Sequence, residues 1–168
     1  DRFEREARVI SQLEAPSTIT VFDYGVEGEL LYLVMEFVDG ASLKQVIKKQ
    51  GRMAPERVAR LGVAVLESLA EAHHYGVLHR DLKPANIMVT QDYRGRDVFK
   101  VVDFGIAKVL AEAQHQDDAI QKSLTQEHSF IGTPRYAAPE QLFAQNLSGP
   151  TDLYGLGMVM WEALVGKP

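Results

Sequence analysis

Apolar positions recur at helical spacing along the first residues. Phe3, Ala7 and Ile10 fall at i, i+4 and i+7, and Leu13 continues the stripe. The pattern predicts an amphipathic helix over 1–14, ended at Ala15-Pro16 because the residue before a proline avoids helical geometry. Glu6 lies on the apolar side of that helix. It reads either as half of an ordinary surface pair or as a carboxylate that needs a buried partner. From Ile19 the period changes. Ile19 to Tyr24 is rich in strand formers, Gly25 to Glu29 carries turn residues, and Leu30 to Phe37 is an apolar run suited to a buried strand, so a hairpin is expected. Asp39-Gly40 breaks it. Ser42 to Lys49 is expected as a short helix ending at Gly51. A longer helix starts at Pro55, a residue that fits a first helical turn. Val58, Leu61, Gly62, Val65, Leu69 and Ala72 mark its inner side, and Gly76 stops it.

Beyond that helix, Ile87-Met88-Val89 and Val98 to Val102 are expected as two short strands joined through a polar tract containing Gly95. Residues 106–131 are mostly polar and hold no sustained period, as in a long functional or disordered loop. Pro134 and Pro139 bracket a turn, and Glu140 to Ala144 starts a short helix. The last helix, 151–165, is apolar on every side through Leu153, Tyr154, Leu156, Val159, Trp161 and Leu164, so it is expected to be buried. Thr151 suits its N-cap. Asp152, just inside, reads by itself as a favourable charge at a helix start. His73 and His74 point about 100° apart on their helix and make no chelating pair.

Composition narrows the class. An apolar fraction of 46% and a charged fraction of 24% are those of a globular domain, and 168 residues suffice for one core. The net charge of −5 argues against nucleic acid as a partner and leaves no basic patch for a membrane surface. The absence of cysteine excludes disulfides and thiolate metal sites. No apolar run reaches the roughly 18 residues of a membrane helix, and no signal-peptide pattern opens the chain. A cytoplasmic segment is expected, in a parent protein that can carry a membrane anchor elsewhere. The chain starts inside a helical pattern without Met and stops where a helix has just ended, so both ends are expected to be cut from something longer.

The candidate chemistry concentrates in His79-Arg80-Asp81-Leu82-Lys83-Pro84-Ala85-Asn86 and, one predicted hairpin later, in Val102-Asp103-Phe104-Gly105. Asp81 can accept a proton from an attacking hydroxyl. Lys83 can neutralise charge on a transferring phosphate. Asn86 and Asp103 are hard oxygen ligands of the kind Mg²⁺ takes. This ordered set matches the known signature of the protein-kinase catalytic loop and metal-binding triplet. The chain resembles the Ser/Thr protein kinases, and most closely the eukaryotic-like kinases of bacteria, over essentially its whole length. The resemblance also rests on Arg5-Glu6-Ala7, on Leu33-Val34-Met35-Glu36-Phe37-Val38-Asp39-Gly40, on Gly132-Thr133-Pro134-Arg135-Tyr136 with Ala138-Pro139-Glu140-Gln141, and on Asp152-Leu153-Tyr154 with Leu156-Gly157.

The resemblance implies an α+β, two-lobed fold present in part. Residues 1–38 would be the remnant of the smaller lobe, and 39–168 part of the larger lobe with its catalytic and activation loops. It implies ATP with Mg²⁺ or Mn²⁺ as cofactors, proteins as substrates, and a kinase–kinase dimer for trans-autophosphorylation. Asp81 is then the catalytic base and Lys83 the γ-phosphate clamp, whose presence at this place implies Ser/Thr specificity. Thr133 is the loop threonine that bonds near both. Asn86 and Asp103 hold the metal. Met35 is the gatekeeper, the backbone of Glu36 and Val38 meets the adenine edge, and Met88 packs under the ring. Glu6 is the helix glutamate that pairs with a strand lysine. Ile10, Val21, His79 and Phe104, the last followed by Gly105, form the regulatory spine, with Asp152 as its anchor. Arg80 is the receptor for a phosphate on the activation loop. Of Ser123, Thr125 and Ser129, Thr125 is the expected acceptor, eight residues before Thr133, and Glu127 is expected to supply part of a second phosphate's charge permanently.

The chain holds no Gly-rich loop and no strand lysine, both expected upstream of Asp1, and further helices are expected after its end. By itself it is expected to be nearly inactive and to expose apolar core. Two readings stand: part of an active Ser/Thr kinase, or part of a pseudokinase or scaffold that binds partners without transferring phosphate. The presence of every catalytic residue within the stretch favours the first.

Overall fold

A computed structural model of the chain describes residues 7–28, 30–104, 134–143 and 146–167. Among the described residues the first helix, α1, covers 7–10, and it gives way to a turn at 11–12, short of the expected end at 14. Ser11 Oγ donates to the Arg8 carbonyl (2.8 Å), an offer that competes with the helical ladder. The backbone that follows is clamped from a distance. The two carboxylate oxygens of Glu71 accept the N–H groups of Glu14 (2.9 Å) and Ala15 (2.8 Å).

Strands β1 (Val21–Glu27) and β2 (Leu30–Met35) form an antiparallel hairpin. Glu27 pairs with Leu30, so the connection is two residues long and not the expected Gly25 to Glu29. Gly28 permits it at φ +63°, a left-handed value that tight hairpin turns need. A short strand the pattern did not reveal, β3 (Ala41–Ser42), pairs with β4 (Ile87–Gln91), which pairs in turn with β5 (Asp97–Val101). β5 also runs beside 17–19: Val101 donates to the Ser17 carbonyl (2.7 Å) and accepts from Ile19 N–H (2.9 Å).

The link between β2 and β3 crosses β4 at Gly40. A Cβ there would lie 2.3 Å from the Val89 carbonyl oxygen, a backbone atom that cannot step aside. Gly40→Ala is expected to cost about 1–3 kcal/mol by forcing the strands apart. The cost should appear as a lower denaturant midpoint at constant slope, and an unchanged midpoint would show the junction to be slack.

Helix α2 (Leu43–Gln50) opens on a capping box. Ser42 Oγ accepts Gln45 N–H (3.3 Å), and the Gln45 side chain accepts Ser42 N–H (2.9 Å). Helix α3 (Pro55–His74) buries the six positions its spacing predicted, and Ser68 as well. The Ser68 hydroxyl meets that of Thr18 at 2.7 Å, inside the core. Among the described residues two more α-helices follow, α4 (Pro139–Leu142) and α5 (Gly149–Val165). The N-cap of α5 is Ser148, not Thr151, because Pro150 is tolerated in a first turn and the helix starts earlier. Thr151 is buried instead, accepting Ser148 N–H (3.2 Å) and donating to Glu140 (2.7 Å). α3 and α5 cross so closely that a Cβ on Gly62 would sit 3.1 Å from Met160 Cε.

Among the described residues the core forms one cluster. Ile10, Leu13 and Val21 join Leu43, Leu61, Ile87, Val101, Phe104, Leu156 and Val159. α5 departs from the expected all-round burial. Leu156, Val159 and Ala163 are buried, but Trp161 is half-exposed, beside Leu153, Tyr154, Leu164 and Val165. Among the described residues, α3 and the turn Pro134–Tyr136 cover one side of it. Among those residues, too, no helix is long and apolar enough to cross a membrane.

Candidate active site

The loop after α3 is held by α5. Asp152, only 2% exposed, accepts His79 N–H at Oδ2 (2.9 Å) and Arg80 N–H at Oδ1 (2.8 Å). Its Oδ2 also meets His73 Nε2 at 2.7 Å. On the far side of Arg80, its carbonyl accepts from Gln141 Nε2 (2.7 Å). The peptide groups flanking Arg80 are thus fixed from two helices. Arg80 itself takes φ +62°, a left-handed conformation that costs a residue with a side chain about 1–3 kcal/mol and persists only where neighbours impose it.

His79 is fully buried and its ring lies 4.9 Å from that of Phe104. Nε2 is 3.0 Å from the Val102 carbonyl, and Nδ1 accepts Asp81 N–H at 3.3 Å. One nitrogen donating and one accepting is the pattern of neutral imidazole. Burial pushes the pKa below the ordinary 6.5, against the pull of Asp152, the Val102 carbonyl, Asp81 and Asp103. The unfolded chain therefore takes up this proton first as pH falls. The stability His79 contributes is complete above about pH 6.5 and is lost below it, towards the lowered native value. Denaturant midpoints followed from about pH 8 to about pH 5 should fall below pH 6.5, and less steeply in His79→Tyr, which keeps a ring without this proton site. Equal slopes in the two proteins would assign the acid sensitivity elsewhere.

Asp81 sits at the loop's turn. Its Oδ2 meets Lys83 Nζ at 2.5 Å and Asn86 Nδ2 at 3.5 Å, and Nδ2 also donates to the Asp81 carbonyl at 3.0 Å. The one-turn helix Pro84–Asn86 folds the chain back to bring these residues together. The nitrogen end of the Asn86 amide is engaged with Asp81, so its acceptor oxygen is the end left for a ligand. The Asn86 carbonyl accepts Val102 N–H (3.0 Å), which ties the segment leading to Asp103 alongside. Asp103 is exposed at φ +57°, a second left-handed residue with a side chain. An amide oxygen and a carboxylate are hard donors, and they fit Mg²⁺ or Mn²⁺.

β2 delivers Met35 and then Glu36, whose carboxylate accepts Thr20 N–H (2.8 Å) and pairs with Lys100 Nζ (2.6 Å). Burial raises the Glu36 pKa, but the bonds from Lys100 and Thr20 outweigh it and hold the group below its ordinary value. Val38 and Met88 are half-buried, and Met88 stands between Ser42 on β3 and Lys100 on β5. Ile10, Val21, His79 and Phe104 are all buried, the last two in ring contact. Glu6, Gly105, Thr125 and Thr133 lie outside the described residues.

Four contacts had no signal in the sequence pattern. His73 on Asp152, Gln141 on Arg80, Lys100 on Glu36, and the bond from Tyr136 Oη to buried Glu162 (2.5 Å) each join residues far apart in the chain. Burial and the bond to Glu162 push the Tyr136 pKa well above the usual tyrosine value. Glu162, a carboxylate in the last turn of a largely apolar helix, stands out in the sequence, but nothing there marks its partner.

The family model described as the protein kinase domain matches residues 1–168. The serine/threonine-protein kinase PknB of Mycolicibacterium smegmatis is 37% identical over 171 residues, covering 99% of this chain and 26% of the relative. The serine/threonine-protein kinase pkn3 of Myxococcus xanthus is 40% identical over 98% of this chain and 29% of its own length. The chain thus spans about a quarter of the length of these relatives. Among solved structures, the PknI kinase domain of Mycobacterium tuberculosis superposes with a TM-score of 0.77 at 28% identity, over 99% of this chain and 57% of that one. Rad53 residues 1–466 in complex with AMP-PNP also reach 0.77, at 27% identity over 99% of this chain and 38% of that one. With its fold, its catalytic-loop geometry and a family model matched from end to end, the chain belongs to the protein kinase domain family.

Proposed function

We propose that the chain is part of a Ser/Thr protein kinase, which transfers the γ-phosphoryl group of ATP to Ser or Thr hydroxyls of proteins with Mg²⁺ as the metal. The observation that carries this reading is the contact of the Asp81 carboxylate with Lys83 at 2.5 Å on the loop that also holds Asn86. Asp81 orients the acceptor hydroxyl and takes its proton as the oxygen bonds to phosphorus and the bond to ADP breaks. Lys83 offsets charge on the phosphoryl group. Asn86 and Asp103 are the residues that would hold the metal, which when bound neutralises charge on the phosphate oxygens. Met35, Glu36, Val38 and Met88 border the adenine, and the link after residue 38 is the hinge between the two lobes. Arg80 is the proposed receptor for an activation-loop phosphate, for which Thr125 is the proposed source, and Thr133 is assigned by its place in the sequence motif to act beside Asp81. Glu6 and Gly105 match, in sequence, residues the family uses to set its active form, and Asp152 is the proposed anchor of buried Ile10, Val21, His79 and Phe104. Dependence on ATP points to a cytoplasmic site.

Relatives named serine/threonine-protein kinases and a structural neighbour holding AMP-PNP support this reading. The test is incubation of the full-length protein with ATP, Mg²⁺ and a general protein substrate, followed by phosphoamino-acid analysis. Phosphoserine or phosphothreonine is expected. Phosphotyrosine alone, or no transfer, would contradict the proposal.

A further inference from the structure

We infer that Lys100 is a positioning residue for the nucleotide, acting through Glu36 to hold the adenine-side link in register with the floor of the site, a role that rests on the nucleotide-binding reading above. Lys100 Nζ lies 2.6 Å from Glu36 Oε1 and 3.4 Å from the Thr18 carbonyl. The same Oε1 accepts Thr20 N–H at 2.8 Å, while Glu36 N–H donates to the Thr20 carbonyl at 2.9 Å. The two side chains of the ion pair are 18% and 24% exposed, so water screens it only in part.

The place of this pair in the fold gives it its consequence. Lys100 stands directly opposite Met88 in the β4–β5 register, three residues before Asp103. One ammonium group therefore joins the segment that enters β1, the link that leaves β2, and the strand that both flanks Met88 and leads to Asp103. The Glu36 N–H is already committed to Thr20, which leaves the Glu36 carbonyl as its main-chain group for an adenine amine. With its N–H and its carboxylate both tied down, Glu36 itself is held in place at the start of the peptide that presents that carbonyl. Without Lys100 the carboxylate keeps its bonds from the Thr20 N–H and side chain but loses the tie to β5, and the link gains freedom that nucleotide binding must then remove.

The consequence falls on affinity for ATP, not on the transfer step, because Asp81 and Lys83 are held by separate contacts. Lys100→Met is expected to raise KM for ATP, and Kd for a fluorescent N-methylanthraniloyl ATP, by about tenfold, the order set by one charge-assisted hydrogen bond. Lys100→Arg, which keeps the charge, should recover most of that loss. Because both members act through one contact, Lys100→Met combined with Glu36→Gln should be no weaker than the worse single variant.

Titrations of the full-length protein and these variants decide the matter. Unchanged nucleotide affinity in Lys100→Met, losses that add in the double variant, or Lys100→Arg as weak as Lys100→Met would each overturn the inference. A fall in kcat at constant KM would overturn it as well. A wild-type protein that binds no nucleotide would instead sink the kinase reading and the role of Lys100 with it, so the two failures are told apart by the wild-type titration alone.

Discussion

Asp152→Ala is expected to lower stability by about 3–5 kcal/mol and to disable the loop that Asp152 holds. The carboxylate is almost wholly buried and accepts the N–H groups of both His79 and Arg80 while meeting His73. Removing it strands the buried His79 N–H, at a cost of about 1–3 kcal/mol when left unmatched, and the partly buried Arg80 N–H at a smaller one. It also withdraws support from the left-handed backbone at Arg80, whose strain is tolerated only while its neighbours enforce it. Asp152→Asn keeps one acceptor oxygen and should lose less. Thermal midpoints should drop by roughly ten degrees for the Ala variant, with a parallel loss of phosphate transfer. A loss under about 1 kcal/mol would show that Gln141 and the packing of His79 hold the loop without Asp152.

Asp81→Asn is the change expected to be most costly to the reaction. An amide has no basic oxygen to take the hydroxyl proton, and it removes the negative charge that Lys83 Nζ now meets at 2.5 Å. General-base catalysis by a positioned side chain is worth about a hundred- to ten-thousand-fold, and a loss of that order in kcat is expected. Affinity for ATP should change little, because Asp81 is assigned to the acceptor hydroxyl. Stability should fall only slightly, since the Asn86 bond goes to the Asp81 backbone carbonyl at 3.0 Å and survives.

What could be read in advance depended on whether the signal was local. The inner side of α3 was legible because six apolar positions repeat at helical spacing over twenty residues. The β4–β5 hairpin was legible from two apolar runs around Gly95. Ends were harder. Ser148 and Thr151 are both good caps, and only the tolerance of a first turn for Pro150 decides between them. The β1–β2 turn was placed too broadly because Gly25 reads as a turn residue, while the chain keeps it within the strand and turns at Gly28.

In the site, Asp81, Lys83 and Asn86 lie within one short stretch, so their spacing carries the chemistry and the structure brings them into contact. The supports do not share that property. His73 reaches Asp152 across 79 positions, Lys100 reaches Glu36 across 64, and Glu71 caps Ala15 across 56. Such pairs arise from how α3, α5 and the strands pack, and a Glu or His on a helix surface carries no mark of its eventual partner. Left-handed backbone at Arg80 and Asp103 was hidden for a related reason. Neither residue type prefers it strongly, and tertiary bonds impose it on the first.

The measurement that bears most directly on the role of Asp81 is ATP-dependent phosphate incorporation into a protein substrate by the full-length protein and its Asp81→Asn variant, compared at equal nucleotide occupancy. General-base catalysis by Asp81 predicts transfer to Ser or Thr by the wild type and a rate at least about a hundredfold lower in the variant, with both binding ATP alike. Equal rates in the two proteins, or no transfer by a wild type that binds ATP, would contradict it.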